Sequence, residues 1–431
     1  MSKRFYSAVL AVLSSAVTVT TAAACAASFH GAAANTTSDS ARVLADIDYL
    51  ASDALEGRGT GTPGNDSAAA FAARRYGNLG LKPLSPGYLQ PFEARSAMLA
   101  HAGGPAAVRT QNVVAFLPGT DAALRGQVIV VGAHIDHLGR STAGALDPDA
   151  RDAIRNGADD NASGSAAVLE LARLFSARPV RRSMIFVNFS GEELGLLGSQ
   201  YFVEHSPVAV DSIVAMLNFD MVGRMRGDSL IVYGVATASE LPAILDSASR
   251  ATRLHVRGIG DGFGPSDHSS FFARNIPVLH FFTNVHEDYH RATDDADKIN
   301  AAGETRVIAL AERIAREIDR RDGRLTFVRA AAPAAVSGSR AGSNVYFGSI
   351  PDMSAPDVPG LRLTGVRAGS PADSAGIRAG DVVVEFAGKV VSDLQTYSDA
   401  LYSHQPGDEI DVVVLRNGER VTLRVKLGKR S

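Results

Sequence analysis

Five short apolar runs constrain this chain more than any other feature. They are Asn112–Phe116, Val128–Ala133, Met184–Phe189, Ile213–Asn218 and Pro277–Phe282, and each predicts a strand. Around them lie stretches with helical spacing: Ser40–Ser52, Asp66–Leu79, Ser163–Ser176, Glu192–His205, Leu241–Thr252 and Glu304–Arg320. The last carries Val307, Leu310, Ala311 and Ile314 on one stripe. Apolar strands alternating with helices predict an α/β domain, a mostly parallel central sheet flanked by helices.

Polar residues gather beside those strands. Gly132-Ala133-His134-Ile135-Asp136-His137, Ser190-Gly191-Glu192-Glu193 and Asn218-Phe219-Asp220 each follow an apolar run directly, and Tyr289-His290 follows by a short loop. A further segment, Gly157 to Gly164, holds Asp159 and Asp160 just before a helical stretch. Open α/β sheets collect ligands beyond the C-terminal ends of their strands, so these segments are expected to converge. The set offers histidines and carboxylates without cysteine, which suits zinc, with Mn2+ or Co2+ as substitutes. His134, Asp160, Glu193, Asp220 and His290 suffice for two ions sharing a carboxylate bridge. Glu192 is then left over where a general base is needed. Taken singly, each has a plainer reading: a structural histidine, an N-cap at Asp160, acidic first-turn residues at Glu192 and Glu193.

Taken in order, H-x-D, D-N-x-S-G, G-E-E, N-x-D and Y-H resemble the zinc aminopeptidase family of secreted bacterial leucyl aminopeptidases, over roughly Leu44 to Arg320. The resemblance implies a phosphorylase/hydrolase-like zinc exopeptidase fold and two Zn2+. It implies that His134 and Asp220 hold one ion, Glu193 and His290 the other, and that Asp160 bridges them. Glu192 would activate the shared water, the Asp136 carboxylate would orient His134, and Tyr289 would hydrogen-bond the developing oxyanion. Peptides with a free N-terminus are the implied substrates. Glutaminyl cyclization on the same fold is the alternative, but the two complete ligand sets and the absence of tryptophan weigh against it. A dipeptidase or carboxypeptidase on the same fold is a further alternative. A binding protein on a dead scaffold would have lost ligands, and none is lost.

Three features stay open. Ser266-Asp267-His268 are adjacent and cannot aim at one another as a nucleophilic triad, so they are expected either to line the substrate pocket or, through Ser266, to cap a helix. His137 reads as structural or supporting rather than as a third metal ligand. The Gly139–Asn156 stretch reads either as a plain solvated loop or as a substrate-contacting one.

A peptidase domain is expected over 38–322 and a flexible linker over 323–342, where Ala330–Ser343 is rich in Ala, Pro, Ser, Gly and Arg. A mainly-β module is expected over 343–429. Its Ser370-Pro371-Ala372, Ala375-Gly376-Ile377, Ala379-Gly380-Asp381 and Asn417-Gly418 resemble a bacterial PDZ domain. The resemblance places a peptide-carboxylate loop at Tyr346, Phe347 and Gly348 and implies a C-terminal peptide ligand. At the other end, Lys3 and Arg4, the apolar Ala8 to Val19 and the small residues before Cys25 form the pattern of an export signal over 1–25. Cys25, the single cysteine, stands where a lipid anchor would attach, so the expected location is periplasmic, extracellular or lipid-anchored at the envelope. A net charge of -3 argues against a nucleic-acid partner.

Overall fold

The computed structural model describes residues 37–429 apart from 97–98, 100–104, 143, 148–149, 330–344, 352–357, 392–395, 398–399 and 402. The export signal, Cys25 and much of the linker lie outside the described residues. No helix among the described residues is long and apolar enough to cross a membrane.

The larger domain is built on nine strands: β1 (Lys82–Pro83), β2 (Leu89–Arg95), β3 (Ala107–Leu117), β4 (Val128–His134), β5 (Ser183–Phe189), β6 (Ile213–Phe219), β7 (Ser229–Tyr233), β8 (His255–Ile259) and β9 (Val278–Phe282). They lie in the order β1-β3-β5-β4-β6-β9-β7-β8, with β2 paired to β3. The four central strands, β5, β4, β6 and β9, run parallel, and antiparallel pairs flank them on both sides. All five predicted strands are present. β7 and β8 escaped prediction because they are short and half exposed.

Every residue of β4, β5 and β6 is buried, as expected of a sheet covered on both faces. The pleat divides β4 between two cores: Ile129, Val131 and Ala133 join one cluster, Val128 and Val130 the other. The first cluster packs helices α1 (Ser40–Leu50), α2 (Pro63–Asn78), α3 (Gly164–Ser176) and α7 (Ala301–Arg320). The second packs α4 (Leu197–Glu204) and α6 (His268–Phe272), while α5 (Leu241–Thr252) lies in the first cluster beside α7. Each fully buried aliphatic or phenyl side chain in these layers contributes about 1.5–3 kcal/mol.

Side chains close the helix ends. The side chains of Asp39, Thr62 and Asn300 accept main-chain N–H groups at the starts of α1, α2 and α7. At the other end of α7, the buried Arg182 donates to the carbonyls of Ile318 (2.9 Å), Asp319 (2.9 Å) and Arg321 (2.7 Å). These carbonyls would otherwise lack partners at the helix terminus. The predicted helix from Glu192 to His205 is shorter than expected: α4 begins at Leu197, and the preceding residues form a loop with Gly191 at φ 77° and Leu196 at φ 62°.

The C-terminal module has its own core, centred on Phe347, Leu363, Val383, Phe386 and Val412. Its strands β11 (Ser349–Pro351), β12 (Leu361–Val366), β13 (Val382–Phe386), β15 (Glu409–Arg416) and β16 (Glu419–Lys426) form an antiparallel sheet. A two-residue β14 (Lys389–Val390) pairs with β13, and β10 (Val345–Tyr346) pairs with β17 (Gly428–Lys429). The predicted helix over 394–403 falls partly outside the described residues.

Glu304, in the first turn of α7, is fully buried, and neither of its carboxylate oxygens has a hydrogen-bond partner among the described residues. Burial first, then the charges of Asp159 and Asp46, pushes its pKa well above the usual carboxylate value. A carboxyl whose folded pKa is raised binds its proton more tightly in the fold, so its contribution to stability is full below about pH 4.3 and is lost as pH rises through the folded pKa. Glu304→Gln should therefore lose less stability than the parent between pH 5 and pH 8, measured by urea denaturation in excess chelator.

Candidate metal centre

The polar segments converge as the topology requires. His134 ends β4, Glu192 and Glu193 follow β5, Asp220 follows β6, and Tyr289 and His290 lie in the loop after β9. Asp160 enters from the irregular turn Ala158–Ser163 that precedes α3.

Asp160 stands between two donor groups. Its Oδ1 lies 3.4 Å from His134 Nε2, which in turn is 3.5 Å from Asp220 Oδ1. Its Oδ2 lies 3.2 Å from His290 Nε2, which is 3.3 Å from Glu193 Oε2. Two donors of one tetrahedral ion with bonds of about 2.0–2.1 Å stand about 3.3–3.4 Å apart. Both groups have that spacing. The tautomers agree. His134 Nδ1 is 3.1 Å from the Asp136 carbonyl and His290 Nδ1 is 2.9 Å from the Gly144 carbonyl. A carbonyl only accepts, so both Nδ1 atoms donate and each Nε2 turns a lone pair toward carboxylate oxygens. Lone pair against carboxylate is repulsive unless a cation or a proton lies between them.

The electrostatics say the same. Burial disfavours charge on His134, yet Glu192, Asp220 and Asp160 outweigh it and raise its pKa well above the ordinary value. His290 is raised in the same way by Glu193 and Asp160. Burial opposes ionisation of Glu193, but His290 and His137 hold its carboxyl well below the usual range. Glu192 is pushed well up, first by burial and then by Glu193 and Asp220, with His134 pulling the other way. The field that draws protons to these imidazoles also favours divalent cations, so the residues present fit two of them.

Residues distant in sequence hold this arrangement. Arg58 is fully buried and donates to the carbonyls of Leu50, Ile135 (2.8 Å), Asn156 (2.7 Å) and Gly157 (2.9 Å). Burial lowers its pKa to about 10, while Asp136, Asp160, Asp294 and Glu193 favour its charge. Asp294 accepts from the main-chain N–H groups of Asp159 and Asp160, each at 3.0 Å. Thr60 donates to Asp136 Oδ2 at 2.6 Å. None of these was singled out in sequence; the one local signal is the dense glycine pattern around Arg58, at Gly57, Gly59 and Gly61.

Several expectations change. The Asp136 carboxylate does not hydrogen-bond His134, lying 3.9 Å away; the Asp136 carbonyl takes that role, and the carboxylate instead accepts the Glu192 N–H at 3.2 Å. That N–H contact helps hold Glu192 and Glu193 out of the helix predicted for them. Ser266, Asp267 and His268 are buried to 1% exposure or less, as His134 is, and Ser266 and Asp267 stand beside the cluster, where their fields reach Asp220 and Glu192. Ser266 Oγ accepts from Asn218 at 2.8 Å and makes no helix-cap bond. The Gly139–Asn156 stretch is not a plain solvated loop: it wraps the buried Arg155 and supplies the Gly144 carbonyl to His290. Tyr289 stacks on His290 with ring centroids 3.9 Å apart, and burial with the surrounding carboxylates pushes its phenol well above 10, so it keeps its proton to donate. In the C-terminal module Gly348 has φ 90°, and a Cβ there would meet Ser370 Cβ at 2.2 Å. Phe347 is buried in the core, and Ser349 Oγ turns to Tyr397 Oη at 2.6 Å.

Comparison with known proteins agrees with this geometry. The model for peptidase family M28 matches residues 112–315, and the PDZ domain model matches residues 333–427. The leupeptin-inactivating enzyme 1 of Streptomyces exfoliatus is 32% identical over 197 residues, covering 43% of this chain and 38% of that protein. The chain spans well under two thirds of the length of the curated relatives it matches. The aminopeptidase from Aneurinibacillus sp. strain AM-1 superposes with a TM-score of 0.53 at 18% identity, covering 68% of this chain and 97% of that one. A glutaminyl cyclase of Fimbriiglobus ruber gives the same TM-score at 19% identity, covering 64% and 95%, so the backbone alone does not separate the two chemistries.

Arg58→Met would strand four buried carbonyls. It should lower stability by about 3 kcal/mol or more in urea denaturation. It should also weaken zinc binding about 10- to 100-fold in chelator competition, because two of those carbonyls belong to the segments that carry His134 and Asp160.

Proposed function

We propose that this chain, which carries a peptidase family M28 domain followed by a PDZ domain, is a zinc aminopeptidase that removes N-terminal residues from peptides with two ions. One observation carries the reading: each oxygen of Asp160 faces the Nε2 of a different imidazole, and both imidazoles turn Nδ1 to a main-chain carbonyl. His134 and Asp220 would hold one ion, His290 and Glu193 the other, and Asp160 both. Zinc so bound supplies a Lewis acid that polarises a carbonyl and makes water acidic enough to lose a proton near neutrality.

The chain's own residues do the rest. Glu192 projects into the same cluster, with Oε2 4.0 Å from His134 Nε2, and its main chain is tied to Asp136. Its carboxylate takes one proton from the attacking water as the new C–O bond forms. It then gives that proton to the leaving amine as the C–N bond breaks. Tyr289, held protonated and stacked on His290, donates to the oxygen that gains negative charge. The PDZ domain supports peptide binding as well, with the Tyr346-Phe347-Gly348 loop taking a terminal carboxylate.

Purified protein should release chromophore from a panel of aminoacyl-nitroanilides, and chelator should abolish the release. Zinc-loaded protein that releases nothing but cyclizes N-terminal glutamine would establish the cyclase chemistry instead. Glu192→Gln should retain its zinc by metal analysis and lose turnover by about 10²- to 10⁴-fold.

A further inference from the structure

We propose that His137 is a positioning residue for Glu193: its Nδ1–H holds Glu193 Oε1 and leaves Oε2 alone to face the second cation. The inference rests on the two-cation reading and adds a residue to it. His137 is buried, and its Nδ1 lies 2.7 Å from Glu193 Oε1. That is the length of a charge-assisted hydrogen bond. It is shorter than the about 3.3 Å expected between two donors of one tetrahedral ion. The distance from His137 Nδ1 to Asp160 Oδ2, 3.8 Å, is longer than that spacing. His290 Nε2, at 3.2 Å from Asp160 and 3.3 Å from Glu193, has it. The two imidazoles on this side of Asp160 therefore divide the work. His290 is spaced as a ligand and His137 as a donor to a ligand.

A carboxylate only accepts, so the proton of this hydrogen bond is on Nδ1 of His137. The other ring nitrogen, Nε2, is buried without a hydrogen-bond partner among the described residues, so the ring's polar contact there runs through Nδ1. The ring is also locked in place. Gly157, at φ 56°, packs so closely that a Cβ there would lie 2.4 Å from His137 Cγ. The main chain leading to Asp160 thus forms the floor under His137. With Oε1 engaged, Glu193 meets an ion through one oxygen, which keeps a coordination position for water or substrate.

The test is the zinc affinity of the full chain, measured by competition with a chromophoric chelator, for the parent, His137→Ala and His137→Asn. The asparagine amide places an N–H donor near the position of Nδ1. His137→Ala should weaken one of the two ions about 10- to 100-fold and leave the other unchanged. His137→Asn should restore most of that loss. Urea denaturation in excess chelator checks that each variant is folded. If the alanine variant does not fold, the asparagine variant decides: near-parent affinity for both ions supports the proposal and loss of one overturns it. Parent-like binding of both ions by His137→Ala overturns it, as does equal weakening in both variants, which would reduce His137 to filling space over Gly157. A parent protein that binds a single ion overturns the two-cation reading and this inference with it.

Discussion

Four carboxylates, those of Asp160, Glu192, Glu193 and Asp220, share one nearly buried pocket, and the rest of the larger domain is arranged around keeping them there. Burying ionised groups costs several kcal/mol each unless they are paired. The pairing comes from the cation or proton that must lie between them and the imidazoles at 3.2 to 3.5 Å, with the buried charge of Arg58 behind. The cluster draws on six segments, those of Arg58, His134, Asp160, Glu192 with Glu193, Asp220 and His290, and the four parallel central strands bring the ends of β4, β5, β6 and β9 to one place. The sheet earns its rigidity from burial on both faces, which is why β4, β5 and β6 carry no exposed residue.

The parts of this design that repeat along the chain were legible in sequence. A strand buried on both faces reads as a continuous apolar run, and His134, Glu193 and Asp220 stand close after such runs, so the central strands and these candidate donors could be found together; Asp160 and His290, on a turn and a loop, were found through the order of the motifs. The parts that depend on three-dimensional neighbours were not legible. Nothing local in Arg58, Thr60 or Asp294 says that they reach Gly157, Asp136 and Asp160 across 99, 76 and 134 residues of sequence. The helix predicted from Glu192 failed for a related reason. Its residues have ordinary helical preferences, but the Glu192 N–H is taken by Asp136, and Gly191 and Leu196 turn the chain through left-handed conformations. A tertiary contact overrode local propensity at the site itself.

The C-terminal module shows the opposite balance. Its turns are marked by glycines whose positive φ is local, as at Gly348, Gly376 and Gly418, and its resemblance to a PDZ domain could be carried by short motifs. Its core cluster includes no residue of the larger domain, so its packing is specified within its own sequence.

The turn before α3 shows how the metal centre joins fold to chemistry. An ordinary helix start would satisfy its first N–H groups with one cap residue. Here Gly157 is left-handed, and the turn takes partners from elsewhere: Asp294 accepts the N–H groups of Asp159 and Asp160, Arg58 holds the carbonyls of Asn156 and Gly157, and Asn161 bonds the Phe219 carbonyl and the Gly164 N–H. Those bonds tie the turn to three other segments, those of Arg58, Asp294 and β6, the last of which leads to Asp220. Asp160 therefore cannot relax away from the charges beside it without breaking contacts on several sides. A carboxylate fixed in this way is already in place before a metal binds, and the cost of ordering it is met by folding rather than by metal binding.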